Sequence, residues 1–307
     1  MKISIIGGGA MGSIYAALMA KTNHDIFMVD SWKDHIEVIK TKGLRIHGAS
    51  GDQVIHNINV STDINTTKNS DLYIIATKTS HVELVASQLQ SFVEGDNIVL
   101  TIQNGLGSSD LIAKYINRNN IFIGVAEGFG ASVIAPGTVH HNAMKLIRIG
   151  KMIHSDDSRL SSVVKIWTDS GFQAKAFEDI DRLIWEKFIC NVTFSGPCTV
   201  FKITLGELMA SPEYWNIAIG CMWEAYNIGL EKSVSFSFDD PKQYVSNFGR
   251  RMPHAKPSML LDHENKRLSE IGAINGMVVQ IGKNLGINTP YNETITSIVN
   301  HQEKIMG

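Results

Sequence analysis

The chain has 307 residues, of which 44% are hydrophobic and 19% charged. That is an ordinary globular composition, long enough for two domains, since single cores stop growing near about 250–300 residues. A net charge of -2 gives no electrostatic case for nucleic acid or an anionic membrane. No uncharged apolar run reaches the roughly 18 residues of a membrane-spanning helix. The N-terminus reads as a strand with three glycines, not as a signal peptide. Cys190, Cys198 and Cys221 are odd in number and lack metal-ligand spacing, so they read as reduced thiols in a cytoplasmic protein, with no metal site expected.

Short apolar runs alternate with helix-like segments through the first half. Ile3–Ile6, Ile26–Val29, Leu72–Ala76, Ile98–Ile102 and Ile121–Val125 read as buried strands. Ser13–Lys21, Trp32–Lys42, His81–Val93 and Ser109–Ile116 read as helices between them. Thr138–His141 and Lys145–Ile149 then read as strands, Asp157–Ser170 as a helix and Gln173–Phe177 as a strand, with Asn142–Asp157 the stretch of least pattern. Beyond Glu178 the periodicity turns helical, at Ile180–Val192, Leu205–Ala210, Tyr214–Glu231, Asp239–Phe248 and Asn265–Leu285. The expected fold is α/β: a parallel-sheet domain over residues 1–178, then an all-helical domain over 179–307. The apolar Tyr214–Glu231 segment fits either a core or a homodimer contact.

The first strand runs straight into Gly7, Gly9 and Gly12, spaced G-x-G-x-x-G, and an alanine-rich helix follows. Gly7 permits the tight turn, Gly9 a close approach of pyrophosphate, and Gly12 close packing of helix on strand; Ala10 and Met11 complete the helix start. The helix end offers free N–H groups and a positive dipole to phosphates. Asp30 ends the second strand, where an acid accepts hydrogen bonds from ribose hydroxyls. The reading is a Rossmann dinucleotide-binding domain; the plainer alternative is a structural turn.

Open sheets bind ligands beyond the carboxyl ends of their strands. Two more loops lie there, Ala76-Thr77-Lys78 and Gln103-Asn104-Gly105. Lys78 and Asn104 can reach phosphate, ribose or a carboxamide; each also fits a solvated loop or turn residue. In the helical half, Lys187 and Asn191 are four apart and share a helix face within an apolar segment. Burial lowers a lysine pKa and a nearby carboxylate raises it, which together can poise a proton donor; a snorkelling lysine beside Glu186 is the alternative. Glu270 reads as the first residue of an apolar helix (Ile271, Ile274, Met277, Val278, Ile281), and Ser258 follows Pro257 at another helix start.

These features in this order resemble the ketopantoate reductases (2-dehydropantoate 2-reductases). The resemblance rests on G-x-G-x-x-G at Gly7–Gly12, Lys78, Gln103-Asn104-Gly105, Pro136-Gly137, W-x-K-x-x-x-N at Trp185–Asn191, Gly206-Glu207-Leu208, Pro257-Ser258-Met259 with Asp262, and E-I-x-x-I-N-G at Glu270–Gly276. It implies hydride transfer from NAD(P)H to a 2-oxo acid, at a cleft between a Rossmann and a helical domain. Lys187 would protonate the carbonyl oxygen, and Glu270 would position substrate and tune Lys187. Asn104, Asn191, Ser195 and Ser258 would meet the substrate. Gly7, Gly9, Ala10, Met11, Gly12, Asp30, Lys78, Asn104 and Glu270 would contact the cofactor.

Four positions depart from the family pattern. Ser195 and Ala255 stand where Asn is common, Leu205 replaces a polar residue, and Leu261 replaces Gln. Each change removes hydrogen-bonding capacity, so a branched-chain or aromatic 2-oxo acid stands beside ketopantoate as substrate. The family usually uses NADPH; Asp30 favours NADH, because an acid there repels a 2′-phosphate, although Lys33 is within sequence reach of one. A nucleotide sensor and a 3-hydroxyacid or 6-phosphogluconate-type dehydrogenase share the architecture but fit the lysine and Pro-Ser-Met motifs less well.

Overall fold

The structure, a computed structural model, describes residues 1–128, 130–144, 146–153 and 158–306. The chain divides into two compact units, one of Met1–Gln103 with Ser108–Ile180, the other of Asn104–Gly107 with the chain from Asp181 onward.

The first unit contains β1 (Lys2–Ile6), α1 (Ala10–Met19), β2 (Asp25–Val29), α2 (Lys33–Lys42), β3 (Leu44–Gly48), β4 (Gln53–Ile55), β5 (Asn59–Ser61), β6 (Leu72–Ile75), α3 (Val82–Leu89), β7 (Ile98–Thr101), α4 (Ser108–Ile112), β8 (Ile121–Glu127), β9 (Gly130–Ala135), β10 (Thr138–Ala143), β11 (Leu146–Lys151), α5 (Ser158–Asp169) and β12 (Ala174–Ala176). Among the described residues, eight strands form one sheet in the order β12-β11-β8-β7-β6-β1-β2-β5. Its pairs are parallel except β8 with β11. Alternate residues along the central strands serve two cores: Ile3, Ile5, Leu72 and Ile74 pack with α1 and α5, and Ile6, Tyr73 and Ile75 with α3. Helices therefore cover both faces, as the alternation of elements predicts. β1 has β2 on one side and β6 on the other, so the strand order reverses beside β1, the switch point where such sheets bind ligands.

The order β4-β3-β10-β9 makes a second, four-stranded sheet. β3, β4, β5 and β9 are additions to the expected elements; the first three are short and carry polar residues (Arg45, His47, Gln53, Asn59), so their alternation is weak, and β9 opens with the small residues Gly130, Ala131 and Ser132. This sheet packs on the side of α1 away from the main sheet. Enclosure explains why Gly12 through Met19 are all buried: a helix apolar all round has no solvent face.

The chain then continues as α6 (Ile180–Phe201), α7 (Leu205–Ala210), α8 (Pro212–Glu231), α9 (Pro241–Arg250), α10 (Ser258–Glu264), α11 (Asn275–Leu285) and α12 (Pro290–Met306). No helix among the described residues is long and apolar enough to cross a membrane. Local rules set several starts. Thr204 and Glu207 form a capping box for α7, and Ser211 and Asp240 cap α8 and α9 ahead of Pro212 and Pro241.

Two expectations change. α6 does not stop at Val192 but runs through Pro197. Proline removes the helical hydrogen bond to the Thr193 carbonyl; the Val192 carbonyl, one residue earlier, accepts from outside the helix, from Asn275 Nδ2 at 3.0 Å. The expected helix Asn265–Leu285 is also broken. Glu270 precedes a short 3₁₀ turn, Ile271–Ala273, and α11 starts only at Asn275. The break leaves the Ala273 carbonyl for another donor, the Leu106 N–H at 3.2 Å. The expected strand and helix starts at Lys145 and Asp157 lie outside the described residues; β11 and α5 begin one residue later, at Leu146 and Ser158.

Asn275 is fully buried and also donates to Asn292 Oδ1 at 2.9 Å. Asn275→Ala removes the donor to both acceptors. It is expected to cost about 2 kcal/mol, read as a lower urea midpoint by circular dichroism.

Candidate active site

In the first unit the site begins with the turn after β1. Gly7 adopts φ +104°, which disfavours any side chain, and a Cβ there would lie 2.7 Å from the Thr77 nitrogen. A Cβ on Gly12 would lie 1.8 Å from the Gly7 carbonyl oxygen, so only glycine lets α1 start this close to β1. Gly9 differs: nothing would come within 4 Å of a Cβ there. Gly9 is also the N-cap of α1, and it provides no side-chain cap. Ala10 and Met11, both half-buried, open the helix, and no acid stands in its first turn. The amides of this end are thus left to an outside acceptor, with the dipole favouring an anion.

Asp30 stands beside the turn. One of its oxygens accepts the Gly8 N–H at 2.7 Å and the other the Trp32 N–H at 2.8 Å. Each oxygen keeps a lone pair for a hydroxyl. Lys78 is exposed, heading a 3₁₀ turn at Thr79–His81. Gln103 holds the loop before it, donating from Nε2 to the carbonyls of Ile75 at 2.7 Å and Thr77 at 3.1 Å. The Thr101 hydroxyl bonds its other amide atom, Oε1. The Thr77 hydroxyl is buried and has no hydrogen-bond partner in the described structure. An open space over Gly9, uncapped amides and an orphaned hydroxyl beside Gly7 fit a dinucleotide pyrophosphate.

The second unit gathers the other polar residues. Lys187, Asn191 and Ser195 recur every four residues on α6. Lys187 and Asn191 are half-buried, whereas Ser195 is only 4% exposed. Asn104 leads a loop that belongs to this unit. Gly105 sits so close to the turn after Glu270 that a Cβ would lie 2.2 Å from the Ala273 oxygen. Asn104 is thereby brought to the Glu270 turn, and Asn275, five residues on, reaches α6 at Val192 beside Asn191. Half-buried Glu270 is the N-cap of that turn without a side-chain cap bond. Ser258 is exposed at the start of α10, with Pro257 as N-cap.

The cysteines offer no rival chemistry. All three are free and buried. Burial pushes the Cys198 thiol up to about 12 and raises Cys190 and Cys221 as well, so none is a thiolate nucleophile near neutral pH. Among the described residues, no group of His, Cys, Asp and Glu could hold a metal ion.

Residues 3–154 match the family model described as Ketopantoate reductase PanE/ApbA, and residues 179–303 match its C-terminal counterpart. The chain belongs to the ketopantoate reductase family. A 2-dehydropantoate 2-reductase of Streptococcus pyogenes is 32% identical over 308 aligned positions, covering 100% of this chain and 99% of the relative. One from Archaeoglobus fulgidus is 26% identical, covering 97% and 96%. Among solved structures, a D-mandelate dehydrogenase with NADH and anilino(oxo)acetate superposes with a TM-score of 0.91 at 25% identity, covering 100% and 99%. A 2-dehydropantoate 2-reductase from Geobacter metallireducens gives 0.88 at 25% identity, covering 98% and 99%.

Two residues carry structural work that their motifs alone do not declare. Gln103 is the clamp on the Lys78 loop, and Asn275 is the tie to α6. A buried amide in an otherwise apolar run (Ile274-Asn275-Gly276-Met277) was the available signal for the second. Gly12→Ala drives a methyl into the Gly7 carbonyl and is expected to cost about 3 kcal/mol or more, seen as a lower thermal midpoint of the first unit.

Proposed function

We propose that the chain is a nicotinamide-dependent reductase of 2-oxo acids, with 2-dehydropantoate as first candidate substrate. The observation that carries it is the polar set of the helical unit: Asn104, Glu270 and the Lys187–Asn191 face, linked through Ala273 and Asn275. The S. pyogenes and A. fulgidus relatives, both named 2-dehydropantoate 2-reductase, support the substrate.

When bound, the dinucleotide supplies a hydride to the substrate's carbonyl carbon. Gly7, Gly9, Ala10, Met11 and Gly12 hold its phosphates, Asp30 its ribose, and Lys78 and Asn104 its further polar groups. Lys187 Nζ stabilises the charge that develops on the carbonyl oxygen and delivers a proton to it. Glu270 positions the substrate and keeps Lys187 protonated. Asn191, Ser195 and Ser258 donate to the substrate's carboxylate and oxygen atoms. Lys187→Ala is expected to lower kcat by about 10²–10⁴-fold; dinucleotide binding should stay within a few-fold, and an unchanged kcat refutes the assignment.

The dinucleotide assigned is NADH. Asp30, held by two backbone amides at the end of β2, would repel a 2′-phosphate. Asp30→Asn removes the charge and is expected to lower KM for NADPH relative to NADH by about tenfold. A wild-type KM much lower for NADPH counts against this.

A second substrate reading has its own support. Leu205 is buried, and its N–H donates to the Ala255 carbonyl at 3.1 Å, so two positions where polar residues are common are apolar neighbours. With the D-mandelate dehydrogenase likeness, they favour a branched-chain or aromatic 2-oxo acid. Side-by-side kinetics on ketopantoate, 2-oxoisovalerate and phenylglyoxylate decide: a kcat/KM preference of tenfold or more for ketopantoate removes this reading. Free thiols suit the cytoplasm, and exposed Tyr214, Trp223 and Leu230 on α8 suit a homodimer. Sedimentation velocity checks the latter; a monomer at micromolar concentration excludes it.

A further inference from the structure

The Pro136-Gly137 turn joins β9 to β10 in the small sheet, and one buried histidine connects it to the glycine turn of β1. His35, on α2, is 0% exposed. Its Nδ1 lies 3.0 Å from the Gly137 nitrogen and accepts that N–H. Its Nε2 lies 3.2 Å from Ser13 Oγ, on α1, and Ser13 Oγ lies 2.8 Å from the Gly8 carbonyl oxygen.

The direction of every proton in this relay follows from its two ends. A backbone N–H can only donate, so His35 Nδ1 has no proton. The neutral ring then carries its proton on Nε2 and donates to Ser13 Oγ. The serine proton in turn goes to Gly8, whose carbonyl can only accept. Burial pushes the His35 pKa down against the opposing pull of Asp30 and the Gly8 backbone, which agrees with a neutral ring. Trp32 stacks on the imidazole with ring centroids 4.9 Å apart and planes 15° apart. Gly8 is therefore gripped at both ends, its N–H by Asp30 and its carbonyl by Ser13. The adjoining Gly9, Ala10 and Met11 open α1 at its uncapped end, where a Cβ on Gly9 would meet nothing within 4 Å.

We propose that His35 is a positioning residue for the dinucleotide: through Ser13 it locks the Gly8 peptide to the Pro136-Gly137 hairpin, so the phosphates meet a turn already set. This rests on the reading that the turn binds a dinucleotide. Preorganisation of this kind lowers the ordering cost of binding and leaves the proton-transfer step at Lys187 alone. It also gives the hairpin a purpose, as the far anchor of the relay.

The test titrates NADH and NADPH, by the change in their fluorescence, into wild type, Ser13→Ala, His35→Ala and His35→Gln, with steady-state kinetics in parallel. Ser13→Ala deletes one atom at a helical position that alanine suits, so it reads the relay even if His35→Ala fails to fold. Ser13→Ala and His35→Ala are each expected to weaken dinucleotide affinity and raise its KM by about tenfold. At saturating dinucleotide kcat should fall far less, and the double variant should add little to either single one. His35→Gln, which can place an acceptor and a donor side by side, should recover most of the affinity. If the wild type binds dinucleotide and both alanine variants bind it equally well, the inference is overturned. A loss in kcat with unchanged affinity overturns it too. A wild type that binds neither dinucleotide removes the underlying reading, and the inference with it.

Discussion

The enclosure of α1 between two sheets governs the first unit. A helix sealed on both sides has no water to satisfy its polar atoms, so each polar group inside must find a protein partner. Ser13, buried on the first turn of α1, finds two partners, His35 and Gly8. The amino end of the same helix has no side-chain cap. Ser13 and Asp30 hold the Gly8 carbonyl and N–H beside an end that no side chain caps.

The helical unit applies the opposite device. Two carbonyls accept from outside their own helix, one within α6 and one at the 3₁₀ turn before α11. Val192 accepts from Asn275, and Ala273 from Leu106. Each bond fastens a segment carrying a proposed site residue: Asn104 lies two residues before Leu106, and Asn191 lies next to Val192. An unbroken helix over Asn265–Leu285 would have spent the Ala273 carbonyl on itself, and the Asn104 loop would have lost that anchor. The irregular backbone here is where the polar set is assembled.

The main sheet was legible because its central strands are buried on both faces and read as continuous Ile, Val and Leu runs with glycine at the turn. Of the small sheet only β10 was legible, as Thr138–His141; in β3 and β4 Arg45, His47 and Gln53 break the apolar alternation. Periodicity placed Ile271, Ile274, Met277, Val278 and Ile281 on one face, and they do share one core with α6 and α8 neighbours for the most part. It could not reveal that the backbone bends between them, because side-chain spacing of this kind survives a short 3₁₀ turn. The site residues were named from motif order and chemistry. His35 escaped because a lone histidine beside Ile36 and Ile39 on an amphipathic helix looks like a boundary residue; its partners are 22 and 102 positions away.

The proposed catalytic residues and the proposed selective ones separate in this chain. The lysine, the glutamate and the asparagines sit on elements tied by backbone carbonyl bonds, which do not depend on what the substrate carries beyond its 2-oxo acid group. The four departures from the family pattern do not share that independence. Leu205 has joined the buried core, Ala255 packs against it, and their backbones are bonded to each other. Leu261 is 38% exposed on the first turns of α10, and Ser195 is almost fully enclosed. A site that pairs a substrate hydroxyl discriminates strongly for it, because an analogue lacking the hydroxyl strands the protein's own polar groups. Where those groups are replaced by Leu and Ala, nothing is stranded and an apolar side chain gains contact. On the proposed assignment the same proton donor therefore serves a hydroxylated or an apolar 2-oxo acid, and the choice falls to a handful of residues that take no part in moving the proton.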